Sequence, residues 1–423
     1  MRRRAKPRVA LSLVLALTIA VPAVSLANWP QFLGPDRDGI VRDADGLPSS
    51  YSQDNVRLLW QTETGPGYGG AAIYGDSVLL IDRVAERGDV IRRLRLTDGR
   101  EVWRCPYAAP GRISYPGSRS TPATDGRLVF TVGPMGHLSA VTLSRGQPVW
   151  QKNLLQDWGG QKPNWAVAQS PLLVGNMVVV APWGNRAAVV AYDKASGRVV
   201  WTTPNSSGTT MDYQSVAPMM LGDRLTLVSC GRQGYTIGVD ARTGQQLWAY
   251  SGYRCNNHIP SPTVVPGNRI LLTGGYGAGS VMLQIGRQGS RYGVRELWKN
   301  GNLGTTTAQA LVWDGHIYAN SKDRGGGLRC LSLDGDILWD TRQSRLMFDL
   351  GSILIVGGQI FQINGQGGEL FIARAIPEGY NELGRIDVLD GEKVWAPMAY
   401  SNGLLVMRDQ RKMVCLDLKP GSR

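Results

Sequence analysis

The sequence predicts an all-β fold, an eight-bladed β-propeller of four-stranded antiparallel blades. One observation is a repeat of about 48 residues, in which an apolar strand and a glycine-containing turn lead to a strand that carries Trp. Another is that the chain ends complement each other. Residues 413–418 read as the third strand of a repeat with no Trp strand after it, and Trp60 lies on a Trp strand with no third strand before it. Pairing the C-terminal strand with this N-terminal strand closes the ring and removes exposed strand edges.

The recurring Trp is expected to hold neighbouring blades together. Gly in the preceding turn supplies the positive φ that a tight hairpin needs. A large flat indole at the end of the outer strand can wedge between blades, and its burial stabilises the ring by roughly 3 kcal/mol. Stacking on carbohydrate or contact with a cofactor is the alternative role. The predicted blade tryptophans are Trp60, Trp103, Trp150, Trp201, Trp248, Trp298, Trp339 and Trp395.

A second apolar segment in each repeat sets the number of blades. Each is a dense run of aliphatic residues bounded by turn residues, which is typical of a buried strand. Eight such segments predict eight repeats of four strands. They are residues 77–82, 128–132, 177–181, 224–229, 269–274, 316–321, 359–364 and 404–409.

The N-terminus has the composition of an export signal. Five basic residues lead into an apolar stretch over 9–24, and Ser25 and Ala27 place small residues before a cleavage site. We therefore expect residues 1–27 to be a signal peptide cleaved after Ala27, residues 28–57 an N-terminal extension, and residues 58–423 the propeller. The alternative is an uncleaved membrane anchor, which the short, proline-broken apolar stretch disfavours. The expected location is the periplasm or the extracellular space.

The net charge indicates which partners are compatible, and the cysteine content indicates which disulfides can form. Removing the five basic residues of the signal lowers the formal net charge from +13 to +8. This modest excess suits anionic envelope polymers or acidic proteins and does not argue for nucleic acid. Five cysteines, none in a CxxC pair, allow disulfides in an oxidising compartment and leave at least one thiol over. Cys230 and Cys255 are the candidate pair.

The turn-and-Trp segment resembles a known repeat. Residues 240–248 read Asp-Ala-Arg-Thr-Gly-Gln-Gln-Leu-Trp, residues 193–201 follow a similar pattern, and the whole is similar to the pyrroloquinoline-quinone-like (PQQ-like) repeat over 60–418. The resemblance implies the propeller fold and leaves two functions open, because fold does not decide activity. One branch of the family is quinoprotein dehydrogenases, which oxidise alcohols or sugars with PQQ and calcium. The other is non-catalytic and similar to the outer-membrane protein assembly scaffold of the barrel-assembly machinery.

The segment after the predicted cleavage site carries a second resemblance. Residues 28–35 read Asn-Trp-Pro-Gln-Phe-Leu-Gly-Pro, an opening similar to that of many secreted proteins with this repeat. We expect Trp29 and Phe32 to dock on a face of the propeller.

The residue pattern of a quinoprotein dehydrogenase is missing. That branch of the family implies an adjacent cysteine pair beside the quinone and clustered carboxylates for calcium. The chain has no Cys-Cys step and no extended acidic loop, and its three histidines lack metal-ligand spacing. The sequence therefore favours a protein with no catalytic residue, cofactor or metal site. PQQ with calcium belongs to the alternative function only.

Polar and aromatic residues gather in the segments that lead into the innermost strand of each blade. These segments converge around the mouth of the central channel, and function tends to lie on such loops. We expect a monomeric, non-catalytic scaffold without a stable membrane span, whose rim binds an envelope protein or a cell-wall polymer. The alternative is that these side chains only cap the blades with hydrogen bonds. The predicted rim consists of Tyr115, Arg119, Trp158, Trp165, Gln169, Tyr213, Gln214, His258 and Asp349.

Overall fold

A computed structural model describes residues 28–289, 291–321 and 327–419. The predicted signal peptide lies outside these residues. The strands of the first half, in chain order, are β1 (Ile40–Val41), β2 (Arg57–Glu63), β3 (Ala72–Tyr74), β4 (Ser77–Val84), β5 (Gly88–Arg95), β6 (Glu101–Ala108), β7 (Ala123–Thr124), β8 (Leu128–Val132), β9 (His137–Thr142), β10 (Pro148–Asn153), β11 (Leu172–Val174), β12 (Met177–Val180), β13 (Val189–Asp193) and β14 (Val199–Thr203).

The second half continues the same alternation of short strands and turns. Its strands are β15 (Ala217–Leu221), β16 (Arg224–Cys230), β17 (Thr236–Asp240), β18 (Gln246–Tyr250), β19 (Thr263–Val265), β20 (Arg269–Gly274), β21 (Gly279–Gln288), β22 (Arg291–Asn300), β23 (Leu311–Trp313), β24 (His316–Asn320), β25 (Leu328–Ser332), β26 (Ile337–Asp340), β27 (Ile353–Val356), β28 (Gln359–Ile363), β29 (Glu369–Arg374), β30 (Glu382–Asp387), β31 (Ala399–Ser401), β32 (Leu404–Arg408) and β33 (Lys412–Asp417). One short α-helix, α1 (Leu154–Trp158), and two 3₁₀ turns, Arg232–Gly234 and Thr341–Ser344, interrupt the strands.

The described residues form eight antiparallel blades around a central channel, which confirms the predicted fold. Blades 1 to 7 each take four consecutive strands, from β3–β6 to β27–β30. Blade 8 consists of β31, β32 and β33 with β2 as its outer strand, so Trp60 pairs with Cys415 across the chain ends. Innermost strands pack against their neighbours around the channel, and β3 meets β31 where the ring closes. We call the end of the channel at which the innermost strands begin the mouth.

Seven of the predicted blade tryptophans lie on outer strands, and the indole N–H of most of them binds the following blade. Trp103 Nε1 donates to the carbonyl oxygen of Leu143 at 2.9 Å, and Trp150 Nε1 donates to that of Lys194 at 2.8 Å. The same bond is made by Trp60, Trp201, Trp298 and Trp339. Trp248 Nε1 has no partner among the described residues, because β21 and β22 extend into a long hairpin where other blades have a tight turn.

The turn glycine and the Trp of the repeat contact each other across the blade interface. Gly197 has a φ of +67°, and a Cβ there would lie 2.7 Å from the Trp150 ring of the preceding blade. The position therefore requires glycine for two reasons: its backbone has a positive φ, and the indole occupies the space that a Cβ would need. Further pairs of this kind are Gly99 with Trp60, Gly146 with Trp103, Gly244 with Trp201 and Gly335 with Trp298.

Trp395 does not end an outer strand, so that prediction is wrong. The outer strand of blade 7 is β30, and Trp395 follows it in the irregular segment before β31. At the position of the missing Trp, β30 carries Gly384, which pairs with Ile372 just before the β-bulge as Trp201 pairs with Ala191 in blade 3.

Tyr51 of the N-terminal segment fills the space at Gly384. A Cβ on Gly384 would lie 1.9 Å from the Tyr51 carbonyl oxygen. Tyr51 is buried, its backbone N–H donates to Leu383 O at 2.8 Å, and its hydroxyl donates to Gln359 Oε1 at 2.6 Å. The Tyr51 ring lies 5.9 Å from Phe361 on the second strand of blade 7, as the Trp339 ring lies 6.1 Å from Tyr318 on the second strand of blade 6, so a ring from outside the repeat takes the place of the outer Trp.

Residues 29–41 cross the end of the channel opposite the mouth. Trp29 exchanges two backbone hydrogen bonds with Ile73 in blade 1, at 2.9 and 2.8 Å. The Arg37 guanidinium donates to Pro171 O at 2.7 Å and to Ser170 O at 3.1 Å in blade 3. Strand β1 then pairs in parallel with β27 of blade 7. This segment therefore closes the channel from below.

All five cysteines are buried free thiols. The expected disulfide between Cys230 and Cys255 is not formed. Both side chains lie in the apolar core between blades 4 and 5, and burial raises the pKa of the Cys230 thiol to about 12. These thiols pack as small apolar residues.

Candidate functional site

A cavity of about 230 Å³ opens at the channel mouth. We call it the aromatic cup. Its walls come from the loops that precede the innermost strands of several blades, together with one residue of the N-terminal segment. It is lined by Phe32, Tyr68, Tyr115, Arg119, Trp165, Ala168, Ser170, Tyr213, Ser215, Ile259, Ser261, Tyr276, Thr307, Leu350, Trp395 and Pro397.

A belt of side-chain hydroxyls joins neighbouring blades at the base of the cup. The N–H of Thr121 donates to Ser170 Oγ at 2.9 Å, the N–H of Ser170 to Ser215 Oγ at 2.8 Å, and the N–H of Ser215 to Ser261 Oγ at 2.9 Å. The N–H of Gly70 begins the belt by donating to Thr121 Oγ1 at 3.1 Å. Each innermost strand is thus fixed to the next, and the loops above it hold a defined position.

The aromatic rings of the cup pack on one another. Trp165 and Tyr213 are stacked with centroids 5.2 Å apart, and Tyr68 and Trp395 lie 5.4 Å apart at an angle of 30°. Tyr115 contacts both groups, with its centroid 6.3 Å from Trp165. These contacts continue around the mouth, so the rings form one connected wall.

Arg119 supplies the positive charge of the cup. Its guanidinium lies 5.6 Å from the Tyr68 ring centroid, a cation–π arrangement. Nη1 donates to Gly117 O and Nη2 to Tyr115 O, both at 2.7 Å, which uses two of its five N–H groups. Burial lowers the pKa of Arg119 to about 10. The side chain therefore remains a cation at neutral pH.

The N-terminal segment forms the floor of the cup. Phe32 reaches the cavity, and the Arg37 guanidinium lies 5.6 Å from its ring centroid. Arg37 is buried, and desolvation lowers its pKa to about 9. Gly34 lies against the ring of Trp29 with a φ of +83°, so a Cβ there would meet that ring at 2.7 Å. The Trp-Pro-x-Phe-x-Gly-Pro segment is therefore folded around Trp29 so as to present Phe32.

Four of the nine predicted rim residues line the cup, and the other five do not. Tyr115, Arg119, Trp165 and Tyr213 face the cavity. The residues that do not line it are Trp158, Gln169, Gln214, His258 and Asp349.

Three of these five are buried inside the blades. The side-chain amide of Gln169 bonds to the backbone of Ala181 in both directions, at 3.0 and 2.7 Å. The Gln214 amide is buried without a partner among the described residues. The His258 ring is completely buried, its Nε2 lies 3.1 Å from Thr273 O, and desolvation lowers its pKa to about 4. These side chains support the loops from beneath.

The other two act at the edge of the site. Trp158 ends the peripheral helix α1, where its indole N–H donates to the Tyr192 hydroxyl at 2.5 Å. Asp349 Oδ2 accepts a hydrogen bond from Trp395 Nε1 at 3.1 Å. Asp349 therefore positions a ring of the cup instead of facing the channel.

Several cup residues were not predicted from the sequence. Tyr68 lies in the glycine-rich segment 65–70, which precedes β3 as the other rim segments precede their strands, and that register is a signal for it. Trp395 was assigned to an outer strand. Phe32 and Tyr276 come from segments outside the rim register, the N-terminal segment and the β20–β21 loop, so the repeat offered no signal for them.

The residues of the cup do not fit calcium with a quinone. Calcium takes six to eight oxygen ligands, with carboxylates prominent among them, and no Asp or Glu lines the cavity. Within the described ranges, no group of three or more His, Cys, Asp or Glu side chains is arranged to hold a metal ion.

The eight four-stranded blades define a propeller of the PQQ-like class. The family model described as outer membrane protein assembly factor BamB matches residues 86–341, which is more than half of the chain. The chain belongs to this family.

Curated relatives match over shorter segments. BamB of Vibrio cholerae serotype O1 is 31% identical over 145 residues, which are 34% of this chain and 34% of the relative. BamB of Burkholderia pseudomallei is 24% identical over 190 residues, 44% of each chain. The chain thus spans less than half the length of the curated relatives it matches.

Solved structures share the fold at low identity. BamB from Moraxella catarrhalis has a TM-score of 0.61 at 15% identity and covers 87% of this chain and 99% of its own. The quinohemoprotein alcohol dehydrogenase ADHIIG from Pseudomonas putida HK5 also has a TM-score of 0.61, at 12% identity, and covers 94% of this chain and 81% of its own. Both likenesses concern the fold alone. Among the described residues, every helix is too short to cross a bilayer.

Proposed function

We propose that the protein is an exported, non-catalytic binding or scaffold propeller of the cell envelope, which holds its ligand or partner at the aromatic cup. The cup carries this proposal. It gathers six Tyr and Trp side chains around one arginine at the mouth of a rigid ring, and aromatic and Arg side chains supply most of the binding energy in recognition sites.

The family supports a scaffold role in the envelope. The curated relatives are named outer membrane protein assembly factors, and the basic N-terminal segment of this chain favours export. A quinone-dependent dehydrogenase remains the alternative function, and only the fold shared with a quinohemoprotein supports it. The absence of acidic residues from the cup lining argues against it.

The proposal is tested by two matched tryptophan variants used as bait on solubilised envelopes of the source cell. Trp165→Ala removes a ring of the cup, and Trp158→Ala removes a half-buried indole outside it. We expect the species retained by the wild-type protein to be retained by Trp158→Ala and lost from Trp165→Ala. Equal retention by both variants would place the site elsewhere.

The alternative is tested on the purified chain. It is titrated with PQQ and calcium and assayed with alcohols and sugars using an artificial electron acceptor. We expect no turnover. Turnover above the rate of free PQQ would overturn the non-catalytic function.

A further inference from the structure

We propose that the aromatic cup binds one acidic sugar residue, a pyranose ring that carries a carboxylate, as part of an envelope glycan. This inference rests on the proposed function, in which the cup is the binding site, and it names the ligand class. Three features of the cup converge on this chemistry: its charge, its hydroxyl donors and its ring walls.

The charge of the cup calls for an anion. Arg119 and Arg37 lie at the wall and beneath the floor, and among the described residues no carboxylate acts on either cation. Burying a cation without a counter-charge is costly. A carboxylate in the cup would accept from Arg119 N–H groups that the Gly117 and Tyr115 carbonyls leave unused, and would compensate the charge of this arginine.

The base of the cup offers hydroxyl donors. Ser170, Ser215 and Ser261 line the cavity, and each Oγ accepts a backbone N–H from the blade before it. Their own hydroxyl hydrogens have no acceptor among the described residues. Three O–H donors spaced along the belt match a ligand with several acceptor oxygens around a ring, as a sugar has.

The walls present aromatic faces. Tyr276 is 59% exposed and Tyr115 is 38% exposed, although large aromatic side chains are ordinarily buried. The C–H groups on one side of a pyranose ring pack against such faces, while its hydroxyls remain free to bond. The wall therefore suits an amphipathic ring better than an alkyl chain.

The volume of the cup limits the ligand to a single unit. The cavity measures about 230 Å³. This is below the range of drug-sized pockets and corresponds to one sugar ring. Because the cup is open to solvent at the mouth, the rest of a chain of sugars can extend outward.

The test is a titration of the intact protein with a trimer of galacturonic acid, followed by calorimetry. The neutral control is maltotriose, and the aromatic control is benzoate, which has the carboxylate without the hydroxyls. We expect the acidic trimer to bind at least tenfold more tightly than either control, and its affinity to fall as salt is added.

Variants locate the binding. Arg119→Met and Trp165→Ala are each expected to weaken the acidic trimer at least tenfold, and Arg242→Met, an exposed arginine on the opposite face, to leave it unchanged. Thermal unfolding of each variant separates loss of binding from loss of fold. Equal affinity for all three ligands, tighter binding of benzoate, or binding that survives both cup variants would overturn the inference.

The outcome is distinguishable from failure of the proposed function. If the acidic trimer does not bind while retention of the envelope species still depends on Trp165, the ligand class is wrong and the cup remains the site. If retention is also independent of Trp165, the proposed function fails with it.

Discussion

The protein has two circles of aromatic side chains, one on the outer strands and one at the channel mouth, and they differ in what their rings touch. On the outer strands, six indoles donate to a carbonyl of the next blade, and the rings of Trp60, Trp103, Trp150, Trp201 and Trp298 lie on turn glycines. At the mouth, the rings touch one another and the cavity. The comparison teaches that the same residue types join blades where the contact repeats and line a cavity where it does not.

Blade 7 lacks the outer-strand Trp, and its interface shows that the position still holds an aromatic ring. Blade 7 has Gly384 where the other outer strands carry Trp, and Tyr51 from the N-terminal segment supplies the ring. The interface needs an aromatic side chain there, whichever part of the chain provides it. If the two circles are separate, loss of an outer ring should lower stability and loss of a ring at the mouth should not.

Removing an outer tryptophan is expected to have the largest effect on stability. Trp201 is buried and its indole donates to Ala241 O at 3.1 Å, so Trp201→Ala leaves a large cavity between blades. We expect the free energy of unfolding to fall by about 3–5 kcal/mol, measured by chemical denaturation. Trp395→Ala is the matched control, and a loss as large as that of Trp201→Ala would remove the distinction between the circles.

Removing the ring that replaces the missing tryptophan is expected to cost nearly as much. Tyr51→Ala empties the site beside Gly384 and should lower the free energy of unfolding by about 3 kcal/mol. Tyr51→Phe keeps the ring and loses only the bond to Gln359, for a cost of about 1 kcal/mol. If the two variants were equally stable, the ring would not be filling the interface.

The buried carboxyl of Asp212, beneath the cup, should make the free energy of unfolding depend on pH. Asp212 is buried, and desolvation raises its pKa to about 7. The unfolded chain releases this proton near pH 4 and the native chain holds it to about pH 7, so the native state loses stability as pH rises between these values. We expect a relative loss of about 4 kcal/mol from pH 4 to pH 8 that Asp212→Asn abolishes. Denaturation curves of both proteins that change in parallel with pH would contradict this.

The contact between a turn glycine and an indole can be separated from backbone strain. Gly197→Ala places a Cβ 2.7 Å from Trp150, whereas Gly175→Ala has a similar φ of +53° and no atom within 4 Å. We expect each to lose about 1 kcal/mol through strain and Gly197→Ala to lose about 1 kcal/mol more by displacing the indole. Equal losses of unfolding free energy in the two variants would show that the indole moves aside at no cost.

Much of the fold followed from local sequence because the blade interface is local. Turn glycine and Trp meet at each junction in the same way, so the repeat shows in the sequence, and the complementary chain ends predicted ring closure. The prediction of Trp395 as a blade residue failed because spacing alone cannot show that β30 uses Gly384 and a distant Tyr51.

Only part of the site was predicted. The segments before the innermost strands occupy the same position in each repeat, but their side chains point in different directions. Along an extended segment, successive side chains point to opposite sides. Ser170 therefore faces the cavity while the neighbouring Gln169 is buried in the blade, and Ser215 and Gln214 divide in the same way. Phe32 and Tyr276 lie outside that register.

The separation of the two circles is tested most directly by a double variant of the mouth, Trp165→Ala with Tyr276→Ala, in which unfolding and binding are measured on the same sample. Both rings line the cavity, and Tyr276 is 59% exposed, so the account predicts a free energy of unfolding within about 1 kcal/mol of the wild type. It also predicts loss of the envelope species that the wild-type protein retains. A variant that unfolds as readily as Trp201→Ala, or that still retains that species, would contradict the account.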